Sequence, residues 1–128
     1  MNILIVDNDE STVETFKAFL GSRVDYKVDI AYGGKECLDK MKVSASYDLV
    51  ILDIMMPKVS GIDVCELMSR DKKLKNTPIL LVSALPVASD AFRESLGKLS
   101  ELKAIKDVLE KPVEMNDLLT KVKVILNK

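Results

Sequence analysis

The stretch "DLVILDIMMPKVSGID", residues 48–63, carries an unbroken apolar run, Leu49 to Leu52, that stops at a carboxylate, Asp53. A run this continuously apolar is a strand covered on both faces, as in a parallel sheet. Beyond it, residues 61 to 70 place Val64, Leu67 and Met68 on one face at the helical period. The stretch therefore reads as buried strand, loop and amphipathic helix, with an acid where the strand ends.

The same alternation extends outward in both directions. Compact β-type runs recur at "NILIV" (2–6), "YKVDIAY" (26–32), "YDLVILD" (47–53), "TPILLVSA" (77–84) and "IKDVLEK" (105–111). Helical periodicity places Val13, Phe16 and Leu20 together in residues 10–20, and Cys37, Leu38 and Met41 in residues 34–43. Residues 88–105 carry Phe92, Leu96, Leu99 and Leu102, and residues 114–126 carry Leu118, Leu119, Val122, Ile125 and Leu126. Five alternations predict an α/β fold, a parallel sheet with helices on both faces and right-handed crossovers. No repeat or linker interrupts the pattern, so residues 1–128 are expected to form one domain.

A chain of 128 residues can bury about two thirds of the surface it exposes when unfolded, so no disulfide or structural metal is needed for stability. The formal net charge is -1, which predicts no attraction to nucleic acid or an anionic membrane except through a local patch. No apolar run approaches the roughly 18 residues that span a bilayer, and a cytoplasmic protein is expected. Cys37 and Cys65 fall within amphipathic patterns and are expected as buried, reduced thiols. The chain has no His, which excludes a Cys-His nucleophile pair and a His-bearing zinc site.

Open parallel sheets bind ligands just beyond the carboxyl ends of their strands. Those ends carry Asp7, Asn8 and Asp9 after the first strand, Asp53 after the third, Ser83 after the fourth and Lys111, before Pro112, after the fifth. Each has an ordinary explanation alone: a helix cap, a turn, a strand exit. Together, carboxylates crowded at the rim of an apolar sheet would take up protons unless a cation neutralised them, and an oxygen-rich cluster suits Mg2+. A divalent ion, an ammonium and a hydroxyl around Asp53 are the parts needed to accept a phosphoryl group.

These residues resemble the receiver domains of two-component response regulators over essentially the whole chain. The carriers are "ILIVDNDE", "DLVILDIMMPKVSGID", "PILLVSA" and "VLEKP". The resemblance implies a flavodoxin-like, doubly wound five-stranded sheet of order 2-1-3-4-5 with five helices. It also implies phosphorylation of Asp53 by a sensor histidine kinase, a phosphotransfer protein or a small phosphodonor. Asp7, Asn8, Asp53 and the backbone carbonyl of Met55 would hold Mg2+, while Ser83 and Lys111 would contact the phosphoryl group. A cis Lys111-Pro112 bond is implied as well. So is output through the face formed by the fourth helix, fifth strand and fifth helix, toward an effector, an output domain or a homodimer. The protein would be a signalling phosphoacceptor that assists its own phosphorylation and dephosphorylation, not an enzyme.

Three positions depart from the family's pattern. Asn8 stands where a metal-touching carboxylate is usual, which predicts weaker Mg2+ binding. Val108 replaces an aromatic side chain three residues before Lys111. The segment Ala84 to Asp107 is longer than usual, which predicts a lengthened or displaced fourth helix. Two other functions compete. One is a receiver-like interaction domain that does not depend on phosphorylation. The other is a phosphatase of the haloacid-dehalogenase type, with Asp7 as nucleophile and Asp9 as acid/base.

Overall fold

The computed structural model describes residues 1–43 and 46–127, so Ser44, Ala45 and Lys128 lie outside the described residues. All five strands form where the apolar runs predict them: β1 Asn2–Val6, β2 Lys27–Ala31, β3 Leu49–Asp53, β4 Ile79–Ser83 and β5 Ile105–Glu110. They pair in parallel in the order β2-β1-β3-β4-β5. The helices are α1 Glu10–Gly21, α2 Gly34–Val43, α3 Gly61–Ser69, α4 Asp90–Leu96 and α5 Met115–Leu126, with a short 3-10 helix at Gly97–Glu101.

The alternation of side chains along each strand divides the core in two. Leu4, Val6, Val50, Leu52, Ile79 and Leu81 point to one face, where they meet α2, α3 and α4 through Met41, Val64, Met68 and Phe92. Ile3, Ile5, Leu49, Ile51, Leu80 and Val82 point to the other, where α1 and α5 supply Phe16, Leu20, Leu118 and Val122. The three inner strands, β1, β3 and β4, are thus apolar on both faces because both faces are covered. Cys37 and Cys65 are free and buried in the first cluster, and burial pushes both thiols up to about 12. Among the described residues, no helix is long and apolar enough to cross a membrane.

Two expectations need correction. The helix predicted over residues 88–105 is not continuous: α4 lasts seven residues, and the chain continues as the 3-10 helix. Gly97 breaks it, taking φ 52° and ψ -130°, a conformation open to glycine but not to a helix. Leu67, expected on the buried face of α3 with Val64 and Met68, is exposed, and Cys65 packs inward instead. The Lys111-Pro112 bond is cis, in line with the resemblance.

Candidate functional site

The apolar burial of β1 and β3 carries Asp7 and Asp53 to the carboxyl ends of two neighbouring strands. Both are only 3% exposed. Asp53 is the last residue of β3, and its main chain is packed against the start of α3: the Gly61 amide donates to the Ile54 carbonyl at 2.9 Å. A Cβ at Gly61 would lie 2.3 Å from the Asp53 carbonyl oxygen, so only glycine permits this approach.

Lys111 reaches both acids from the end of β5. Its Nζ lies 3.0 Å from Asp7 Oδ2 and 3.6 Å from Asp53 Oδ2. Its backbone amide donates to the Ser83 carbonyl at 2.7 Å, which fixes the exit of β5 against the end of β4. Burial and the nearby Asp7 charge push the Asp53 carboxyl up to about 6, against the opposing pull of Lys111 and the Met55 amide. Burial disfavours the Lys111 ammonium, but its hydrogen bond to Asp7 and the charges of Asp53 and Asp7 outweigh that and hold its pKa above the usual lysine value.

The remaining predicted residues are placed differently. Asn8 is exposed and makes no side-chain hydrogen bond among the described residues. Asp9 is the N-cap of α1, accepting from the Ser11 amide at 3.1 Å and from the Ser11 and Thr12 hydroxyls. It is therefore engaged by the helix, and Asp7 is the acid that faces Asp53 and Lys111. Met55 follows Asp53 by two residues and directs its amide to Asp53 Oδ1 at 3.4 Å. Ser83 is fully buried, yet its hydroxyl donates to the Leu85 carbonyl and accepts from the Leu85 amide, both at 2.9 Å. It is turned into its own loop.

Sequence reasoning missed Glu110, whose Oε1 accepts from the Val87 amide at 2.7 Å and ties the β4–α4 loop to β5. Its partner is 23 residues away and is a backbone group, so no residue pattern announces it. A cleft of ≈ 460 Å³ beside Lys111 was likewise not foreseen; Thr12, Phe16, Ala84, Pro112 and Met115 line it.

The donor set fits a hard divalent cation of few protein ligands. It offers two buried carboxylates that repel each other, with the other positions left to neutral oxygens and water. Among the described residues there is no group of three or more His, Cys, Asp or Glu side chains able to hold a metal.

Residues 3–123 match the family model of the response regulator receiver domain. The response regulator ArlR of Staphylococcus haemolyticus is 33% identical over 127 residues, covering 99% of this chain and 53% of that protein. ArlR of Staphylococcus aureus is 32% identical over 126 residues, covering 98% and 52%. The chain spans about half the length of these relatives. Among solved structures, the response regulator TrrA of Thermotoga maritima, in complex with Mg2+-BeF, matches with a TM-score of 0.76 at 32% identity over 97% of both chains. The chemotaxis protein CheY4 of Vibrio cholerae shares the fold, with a TM-score of 0.82 at 23% identity over 97% of each chain.

Proposed function

This chain belongs to the response regulator receiver family, and from that premise we propose that it accepts a phosphoryl group on Asp53 from a phosphohistidine of a sensor kinase or phosphotransfer protein. The observation that carries the proposal is the convergence of Asp7, Asp53 and the Lys111 ammonium within 3.0 and 3.6 Å at the end of an apolar sheet. A buried acid and a cation beside the potential nucleophile Asp53 stabilise little by themselves, but they suit a reaction governed by positioning and charge neutralisation.

In this mechanism an Asp53 carboxylate oxygen forms the new bond to phosphorus. The P–N bond to the donor imidazole breaks, and its electron pair stays on the imidazole nitrogen. Lys111 already faces both acids and would exchange part of that pairing for an oxygen of the incoming phosphoryl group. Mg2+, held by Asp7, Asp53, Asn8 and the Met55 carbonyl, would supply positive charge at the phosphoryl oxygens. The donor would approach through the cleft between α1 and Pro112. Ser83 would reach the phosphoryl group only by releasing Leu85, which moves the β4–α4 loop and alters the α4–β5–α5 face for an effector, an output domain or a second copy. Since the nucleophile is the carboxylate, protonation opposes transfer; Mg2+ beside Asp53 would offset the burial and Asp7 repulsion that raise its pKa, so acceptor activity with the ion is expected to persist below the value of about 6 reached without it.

The test is incubation with Mg2+ and acetyl phosphate, followed by mapping of the hydroxylamine-sensitive adduct by mass spectrometry. The expected result is phosphate on Asp53 and none on a folded Asp53→Asn variant. Phosphate turnover through Asp7 would instead mark a hydrolase. A folded wild-type protein that forms no adduct would mark an interaction domain independent of phosphorylation.

A further inference from the structure

The amino-terminal end of the sheet, opposite Asp53, concentrates positive charge that the near-neutral composition conceals. A cavity of ≈ 250 Å³ lies there, between the end of α3, the turn at residues 75–76 and the entry to β5. Met68, Ile79, Leu102 and Ala104 give it an apolar floor. Lys75, Lys103 and Lys106 line it as well, all three exposed. No Asp or Glu is among its lining residues, and none of these ammonium groups forms a salt bridge among the described residues.

The charge continues past the cavity. A second hollow of ≈ 420 Å³, on the other side of the 71–76 turn, is lined by Lys42, Lys72 and Lys73 with Asp71 as its one acid. Asp71 Oδ1 already accepts from the Lys73 amide at 2.8 Å. Lys72 and Lys73 follow the end of α3, where cations complement the helix dipole. Lys103 and Lys106 have no such explanation, since they come from the entry to β5. The register of β4 with β5 shifts between Ile79, opposite Ile105, and Leu80, opposite Asp107, which leaves Lys106 as the extra residue. A bulge of this kind redirects a side chain out of the strand's alternation, and Lys106 lines the cavity.

The cavity is smaller than the roughly 300–1,000 Å³ of pockets for drug-sized ligands, and its cations stand at the solvent edge. It therefore suits one apolar side chain with anions beside it, and offers a lone phosphate no buried donor. We propose that it docks an acidic segment of a protein partner, which inserts one large apolar side chain against Met68, Ile79 and Leu102 while flanking carboxylates meet Lys75, Lys103 and Lys106. The anchor supplies most of the affinity, and the charges set approach and register. The site lies at the far end of the sheet from Asp53, so its occupation leaves the acceptor end open.

The probe is a fluorescein-labelled peptide, Asp-Glu-Asp-Phe-Asp-Glu-Asp, followed by anisotropy with the full chain. Replacing its Phe by Ala, or combining Lys103→Glu with Lys106→Glu in the protein, is expected to weaken binding about tenfold. Ala104→Met, which fills the cavity and keeps its charge, is expected to remove the preference for the Phe peptide while circular dichroism shows an intact fold. Equal binding of the two peptides would overturn the proposal, as would a Phe preference that survives Ala104→Met. Binding of phosphatidylglycerol vesicles or inorganic phosphate with none of the peptide would overturn it as well.

Discussion

β3 and β5 each deliver one end of the Lys111–Asp53 pair, yet they are held by different physics. β3 is buried at all five positions, between two apolar clusters, and the place of Asp53 follows from packing on both faces. β5 buries only Leu109 of its six residues, and an ion pair of 2.6 Å from Lys121 to Asp107 fastens it to α5. Lys111 is then aimed by a backbone bond to Ser83. A damaged centre should therefore lose stability, whereas a damaged edge should lose positioning with the fold intact.

The largest test of that contrast compares two glycines. Alanine at Gly61 must push Cβ against main chain at 2.3 and 2.8 Å, which no side-chain rotation relieves. Gly61→Ala is expected to lower unfolding free energy by about 3 kcal/mol or more in urea denaturation. Gly97 at the edge has nothing within 4 Å of its would-be Cβ, only a positive φ. Gly97→Ala should cost about 1–2 kcal/mol. Equal losses would mean that the edge is held as tightly as the centre.

Asp53 itself provides the next comparison, because the centre pays for holding it. Its carboxyl titrates near 6 in the fold, against 3.8 as the ordinary value. A raised carboxylate pKa means that the folded state binds the proton more tightly than the unfolded one. The penalty is absent below about 3.8, grows as pH rises through the window up to 6, and reaches about 2–3 kcal/mol at neutral pH. Asp53→Asn is therefore expected to stabilise the protein by about that amount at pH 8 in the absence of divalent ions, with the gain shrinking toward pH 4. A variant less stable than wild type at pH 8 would contradict this account.

The same contrast explains what was legible in the sequence. Continuous apolar runs state that a strand is covered on both faces, and the residues that end such strands are fixed by them, so Asp7, Asp53 and Ser83 could be read off; Lys111 ends the half-exposed β5 and was legible from the alternation of elements and the "VLEKP" resemblance instead. The break at Gly97 could not, because Phe92, Leu96 and Leu99 are buried whether the chain continues as an α-helix or tightens into a 3-10 turn. Periodicity alone does not separate these. Nor could the orientation of the Ser83 hydroxyl or the Glu110 bond to Val87 be read, since each ends on a backbone group. Such groups occur at every residue and leave no pattern.

Asn8 sharpens the comparison at smaller scale. It follows β1 but is exposed and unbonded among the described residues, so it is at the centre in sequence and at the surface in energy. In the proposed Mg2+ site, Asn8→Asp adds a carboxylate next to Asp7 in sequence and is expected to strengthen Mg2+ binding about tenfold. Stability without the ion should change by only about 0.5 kcal/mol. Calorimetric Mg2+ titration of both proteins decides the point, and equal affinities would remove Asn8 from the proposed metal site.

The smallest effect concerns Glu110. Its carboxylate is the acceptor for the Val87 amide, and it sits opposite Ser83 in the β4–β5 register, so it restrains the loop that occupies the Ser83 hydroxyl. Because this bond is exposed, water can replace it, and Glu110→Ala should cost only about 0.5–1 kcal/mol. Amide exchange at Val87 should quicken while protection along β3 stays unchanged, since local opening of a loop does not require opening of the core. If protection in β3 fell together with that at Val87, loop and centre would open as one unit, and the separation between a packed centre and an adjustable edge would fail.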